Sequence, residues 1–176
     1  MIEYTGTLDI LKQILDKEMN MPENRVWAYN SDIDLPKDSG LFIILFMKEQ
    51  IPYANNSKFA GTADGMEERQ TVNIREEILI SLVSRNTDAR NRVYEAILAL
   101  NSLTSRQLQA KNRIHISILG DAFDASFLEA SAMLNRWDIR IRVFRAYGTI
   151  RALNDDEYYD KFPNTAEFEG QYLFKK

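Results

Sequence analysis

Chemistry in this chain would have to come from one histidine, scattered aspartates and glycines, and a row of arginines; cysteine is absent from its 176 residues. His115 stands between Ile114 and Ile116. A catalytic or metal-binding histidine needs partners, and neither a second histidine nor a cysteine exists to complete a nucleophile–base dyad or a histidine metal site. A strand residue facing solvent or a polar network is the expected role. The missing cysteines also exclude disulfides, iron–sulfur clusters and thiolate zinc sites.

The aspartates and glycines carry no stronger signal. Asp32, Asp34 and Asp38 precede Gly40, but Pro36 and Lys37 occupy the fifth and sixth positions. A calcium loop places a ligand and a glycine there, so a solvated turn is expected instead. "GTADG" at 61–65 leads into methionine and acids, unlike a phosphate-cradling loop or a dinucleotide fingerprint. The sequon "NNS" at 55–57 has no meaning without a secretory signal. No catalytic constellation emerges, and the expectation is a protein that is not an enzyme and holds no cofactor or metal.

The arginines are more informative. Arg136, Arg140, Arg142 and Arg145 cluster on or beside one strand, with Phe144 among them and Arg113 nearby in sequence. One reading is a phosphate-contacting surface with an aromatic platform, as in sheet-based binders of single-stranded nucleic acid. The other is an exposed sheet face whose arginines meet acids, Glu76 or Glu77 on a neighbouring strand or acids across a subunit interface. Net charge is −4, distributed as −5 over residues 1–103, +4 over 104–151 and −3 over 152–176. A negative chain favours the interface over nucleic acid.

Elements that would position these residues follow from hydrophobic period. Leu8, Leu11, Ile14 and Leu15 recur at helical spacing in residues 7–19, with Thr7 as N-cap. "RVWAYN" at 25–30 reads as a short strand, and Leu41–Met47 as a central strand buried on both sides. Residues 52–69 have no period and are expected to form an irregular loop arm. Val72, Ile74, Ile78, Ile80 and Leu82 share one parity, interrupted by Glu76, which makes a long amphipathic strand. "SRNT" breaks it, offering Asn86 or Thr87 as a cap. Ala89, Val93, Ala96, Ile97 and Leu100 then form the stripe of a covering helix.

After a polar segment, Ile114, Ile116 and Ile118 alternate in a strand, and the Ala-rich residues 122–135 suggest a short helix. In "RWDIRIRVFRAYG", Trp137, Ile139, Ile141 and Val143 share one face, opposite Asp138, Arg140, Arg142 and Phe144. Beyond Gly148 the acidic, aromatic residues 150–176 have no amphipathic period and read as an extended C-terminal arm. The expected fold is α+β: one domain over 1–176, its mostly antiparallel sheet covered on one face by helices, with the two arms.

Whole-chain balance agrees with a folded domain. Hydrophobic residues make up 45% and charged residues 27%, near the average for soluble globular proteins. "MIEYTGTLDILKQ" lacks the form of a signal peptide. The longest apolar run, "LFIILFM" at 41–47, falls far short of the roughly 20 residues that span a bilayer. A soluble protein without a membrane partner is expected.

"PYANNSKF…ERQTVNIREEILISLVSRNTDARNRVYEAILAL", "ASAMLNRWDIRIRVFRAYGTIRA" and the acidic "DDEYYDKF" together resemble the neck or tail terminator proteins of tailed bacteriophages. The resemblance covers roughly residues 41 to 162. It is carried by the asparagine-bearing segment before a strand, the strand–"SRN"–helix unit and the late "RWDIRIRV" strand. It implies an α+β virion subunit made in the host cytoplasm, assembling into a homo-hexameric ring at the neck. Such a ring caps the tail tube and joins it to the head connector; its partners are itself, the tail tube protein and neck proteins, with transient contact to passing genomic DNA. Under that reading Arg136, Arg140, Arg142, Arg145, Glu76, Glu77, Asp155, Asp156, Tyr158, Tyr159 and Phe162 are candidates for subunit interfaces or the ring lumen. The alternative is a small α+β module that holds single-stranded nucleic acid on the arginine-lined sheet face.

Overall fold

The structure, a computed structural model, describes residues 6–29, 38–62, 65–129 and 132–153. Its elements are α1 (Thr7–Glu18), β1 (Val26–Ala28), β2 (Phe42–Thr62), β3 (Gly65–Ser84), α2 (Asp88–Leu100), α3 (Leu103–Asn112), β4 (Ile114–Ile118), β5 (Phe123–Asp124), β6 (Phe127–Glu129) and β7 (Ala132–Leu153). The sheet runs β1-β2-β3-β7-β4, and β5 and β6 also pair with β7. This is an α+β fold with a mixed sheet. β1 lies parallel to β2, with Val26 opposite Ile43, whereas β4, β5 and β6 are antiparallel to β7.

Two compact units are present, each fed by β2, β3 and β7. The first comprises described residues within 1–54 and 72–147, and the second those within 55–71 and 148–153. The first unit holds the core. Ile43 and Leu45 of β2, Ile78, Ile80 and Leu82 of β3, and Ile139, Ile141 and Val143 of β7 alternate onto one face of the sheet. Against them pack Ile10, Leu11, Ile14 and Leu15 of α1 with Ala89, Val93, Ala96 and Leu100 of α2. Each fully buried Ile or Leu stabilises the fold by about 1.5–3 kcal/mol relative to exposure.

The strand–helix unit at 78–100 forms as its two periods predict, and its turn is closed by side chains. The amide of Asp88 donates to Asn86 Oδ1 at 2.8 Å, and that of Ala89 to Ser84 Oγ at 3.0 Å. Two free amides of the first turn of α2 are thereby satisfied. Thr87 occupies the N-cap position but makes no side-chain cap bond. β3 itself is buried on both faces near this turn, since Leu79, Ser81 and Val83 are buried along with Ile78, Ile80 and Leu82.

Three expectations are corrected, and one helix is added. Residues 52–69, expected as a loop arm, are strand wherever described: β2 runs to Thr62 and β3 starts at Gly65. Strand neighbours joined by two residues must be antiparallel, because a parallel return needs a crossover of a dozen or more residues. Ile51 to Phe59 are all exposed, so no buried face imposes alternation on their sequence. The face that β2 presents also slips near Lys48. Glu49 pairs with Arg75 at 3.4 Å while Gln50 reaches Glu76 at 2.8 Å, on the opposite side of β3. Such a slip is the mark of a β-bulge and erases period further.

The suggested helix at 122–135 is instead β5, β6 and the start of β7, with Phe123 opposite Asp138 and Phe127 opposite Leu134. Pairing to β7 overrides the weak helical preference of its alanines. The polar segment before β4 contains α3, capped by Ser102, whose hydroxyl accepts from the Ser105 amide at 3.1 Å. It was illegible because its buried position is Ser105 rather than an apolar residue. Finally, Gly6, not Thr7, is the N-cap of α1; Thr7 is the first helical residue and is buried.

Candidate interaction face

The sheet face opposite the helices gathers the residues that sequence singled out. Along β7 it presents Arg136, Asp138, Arg140, Arg142 and Phe144, and these lie in the first unit. Arg142 donates from Nη2 to Glu77 Oε1 on β3 at 2.7 Å. That hydrogen bond is the main cause holding the Glu77 carboxyl below its ordinary value of 4.5, with smaller help from the charges of Arg142, Arg75 and Lys48. Arg136 grips Asp138 with two bonds, Nε to Oδ1 at 2.8 Å and Nη2 to Oδ2 at 3.0 Å, and also donates to Ser81 Oγ. Arg75 pairs with Glu49.

Arg140 differs from these three. It is exposed, its guanidinium lies 5.3 Å from the ring centroid of Phe123, and it has no carboxylate partner among the described residues. Lys48 on β2 is likewise exposed and without an ion-pair partner there. An Arg over a ring is weakly attracted yet remains available to an incoming acid.

Two candidates turn inward. Arg145 has the parity of Ile141 and Val143, is 5% exposed, and donates from Nη1 to Thr7 Oγ1 at 2.7 Å. Its Cζ also lies 4.2 Å from the Tyr147 ring centroid. Glu76 has the parity of Ile78 and is 1% exposed; it accepts from Gln50 Nε2, and its second oxygen finds no partner among the described residues. Neither belongs to the surface of this unit, because alternation along a strand sends neighbours to opposite faces. Asp155, Asp156, Tyr158, Tyr159 and Phe162 lie outside the described residues.

Aromatic and apolar residues that sequence did not connect complete the face. Tyr53 meets Phe144 edge-on at 6.2 Å, and His115 stacks on the other side of Phe144 at 6.4 Å. His115 is thus an exposed strand residue beside a ring, consistent with its expected role. Towards the other end, Tyr29, Phe42, Ile44, Phe46, Leu79 and Val83 line an apolar groove of about 340 Å³. Phe127 and Leu134 lie on its β7 side, and Lys48, Ser81 and Arg136 supply its polar atoms. The even parity of Phe42, Ile44 and Phe46 was the available signal, hidden because the odd positions are apolar as well.

Among the described residues no cluster of three His, Cys, Asp or Glu side chains is placed to hold a metal. No helix there is long and apolar enough to cross a membrane. Of the aspartates read as a solvated turn, Asp32 and Asp34 lie outside the described residues, and Asp38 accepts from Arg25 Nη1 at 3.0 Å and from the Gly40 amide at 2.8 Å.

In the second unit, Glu68 links three strands. It accepts from Ser57 of β2 at 2.7 Å, from Gln70 of β3 at 2.8 Å and from Arg151 of β7 at 3.5 Å. The Gln70 and Ser57 bonds hold its carboxyl below 4.5. Sequence offered no sign of this hub.

No protein-family model matches the chain, and no curated protein matches it significantly.

Proposed function

We propose that this protein is a structural subunit of a tailed phage, a ring-forming neck or tail terminator that caps the tail tube and joins it to the head connector. The observation that carries this reading is the make-up of the helix-free face. Its arginines are largely neutralised by carboxylates of the same face, around a groove of aromatic and aliphatic side chains. Aromatic and arginine residues around an apolar centre are the composition of a protein–protein contact. A closed ring needs such a contact to be heterologous, one patch meeting a different patch on the next copy. The resemblance of the strand–"SRN"–helix unit and the "RWDIRIRV" strand to neck terminators supplies the biological setting. In that role the protein is not an enzyme, uses no cofactor, and acts in the virion with tail tube and neck proteins as partners.

Molar mass by light scattering behind a sizing column tests the proposal across protein and salt concentrations. A hexamer without nucleic acid supports it. A monomer throughout, together with failure to join purified tails, overturns it.

One observation favours the second reading, a binder of single-stranded nucleic acid. Tyr53 is 57% exposed beside Phe144 and His115, with Arg140 on the same face. Oligonucleotide affinity that falls steeply with salt would support that reading, because phosphate contacts release counterions. Three of the five cations of the face, however, would first have to leave carboxylates.

A further inference from the structure

We infer that the apolar groove of the helix-free face is the seat of residues 154–176 of a neighbouring copy, anchored by Tyr158 and Phe162 with Tyr159 at its rim. The inference rests on the ring reading and names the two patches that meet in it. The groove, about 340 Å³, is at the small end of ligand pockets, with room for a few side chains rather than a large ligand. Its lining is aromatic and aliphatic, and two of its rim residues are open to solvent, Tyr29 at 60% and Phe127 at 44%. An occupant must therefore be apolar at its centre.

Charge fixes the rest of the occupant's character. Lys48 at the groove and Arg140, four positions beyond the groove residue Arg136 on β7, are cations of this face with no salt bridge among the described residues, Lys48 acting on Glu77 through its charge alone. The occupant should carry acids next to its apolar anchors. Residues 155–162, Asp-Asp-Glu-Tyr-Tyr-Asp-Lys-Phe, have that composition, two tyrosines and a phenylalanine among four acids, within a segment of net charge −3. An extended chain covers about 3.3–3.6 Å per residue, so these residues span five or six strand spacings of about 4.8 Å. Side chains alternate along an extended chain, so Tyr158 and Phe162 share the side that seats in the groove, while Tyr159, with Asp155 and Glu157, turns to its rim. Phosphate would offer charge but nothing for the apolar lining.

The test uses the full chain with a photoreactive benzophenone side chain replacing Phe127, and in a second variant Tyr29. Light and heavy isotopic copies are mixed, sized, irradiated and digested, and the captured peptides are read by mass spectrometry. Light–heavy capture of a peptide from residues 154–176 at either position supports the inference. Capture of another segment, such as the exposed Tyr94 and Leu98 side chains of α2, overturns it, as does capture within one copy only. Oligomers that form with no capture from 154–176 overturn the docking while sparing the ring reading. Monomers at every concentration remove the docking, and the ring reading with it where the protein also fails to join purified tails. As an orthogonal readout, Tyr158→Ala with Tyr159→Ala in the full chain should weaken association roughly tenfold or more, the scale of losing buried aromatic anchors. Unchanged association would also overturn the docking.

Discussion

Arg142 and Glu77, 65 positions apart in the chain, meet at 2.7 Å across β7 and β3, so one arginine of the candidate face is already engaged within its own subunit. The pair also sets a sign for pH. Glu77 is held below 4.5 in the folded protein, so its contribution is present above that value and lost as pH falls through the folded one. Glu77→Gln should lower the melting temperature at pH 7 and flatten the acid limb of the stability profile. Thermal scans between pH 3 and 7 check this, and an unaltered acid limb would refute it.

Arg140 and Arg142 should separate association from stability. Arg140→Glu removes an exposed cation with no carboxylate partner among the described residues, so folding should change within about 0.5 kcal/mol while association weakens. Arg142→Glu sets like charge against Glu77 and should lower the melting temperature as well. Sizing and thermal unfolding of both variants decide, and an Arg140→Glu protein that assembles normally would remove that residue from the interface.

Glu68 predicts a local effect. Glu68→Ala should accelerate amide hydrogen exchange at 55–71 and 148–153 more than at Ile80 or Leu82, because it cuts the bonds to Ser57, Gln70 and Arg151. Since its folded carboxyl titrates below 4.5, acidifying the wild type through that folded value should have the same local effect. Uniform exchange across the chain would contradict the assignment.

Leu82 and Leu98 contrast a core position with a surface one of the same residue type. Leu82 is fully buried and Leu98 is 71% exposed. In urea unfolding, Leu82→Ala should cost about 2–5 kcal/mol and Leu98→Ala no more than about 0.5 kcal/mol. Equal costs would mean that the core has been placed wrongly.

Removing residues 155–176 should leave the cooperative thermal transition in place and weaken assembly. Among the described residues the core cluster of the first unit ends at Val143. Loss of the transition would assign the removed residues to the core instead.

Legibility followed one-sided burial. The stripes of α1 and α2 and the alternating Trp137–Phe144 strand were readable because a single core face imposes a period on the sequence, and β3 was readable from the Val72–Leu82 parity of its first part, although its end is buried on both faces. The exposed end of β2 and the start of β3 were not, since nothing there selects apolar residues at alternate positions. α3 escaped because it buries a serine, although Ser102 ahead of a run of helix formers was a usable signal.

By itself the sequence determined which residues share a face: local backbone geometry gives strand and helix their periods, and burial writes those periods into residue types. It therefore separated Arg140 and Arg142 from Ile139 and Ile141 without any structure. Glu76 shares the parity of Ile74 and Ile78, yet among the interface candidates its burial came only with the structure. Only tertiary structure set Arg142 opposite Glu77, and left Arg140 and Lys48 without a salt bridge among the described residues. Those outcomes depend on the register between strands distant in the chain, which no local period encodes. The groove is of the same kind, because its walls come from Tyr29 after β1 and from β2, β3, β6 and β7, and exist only once those strands lie side by side.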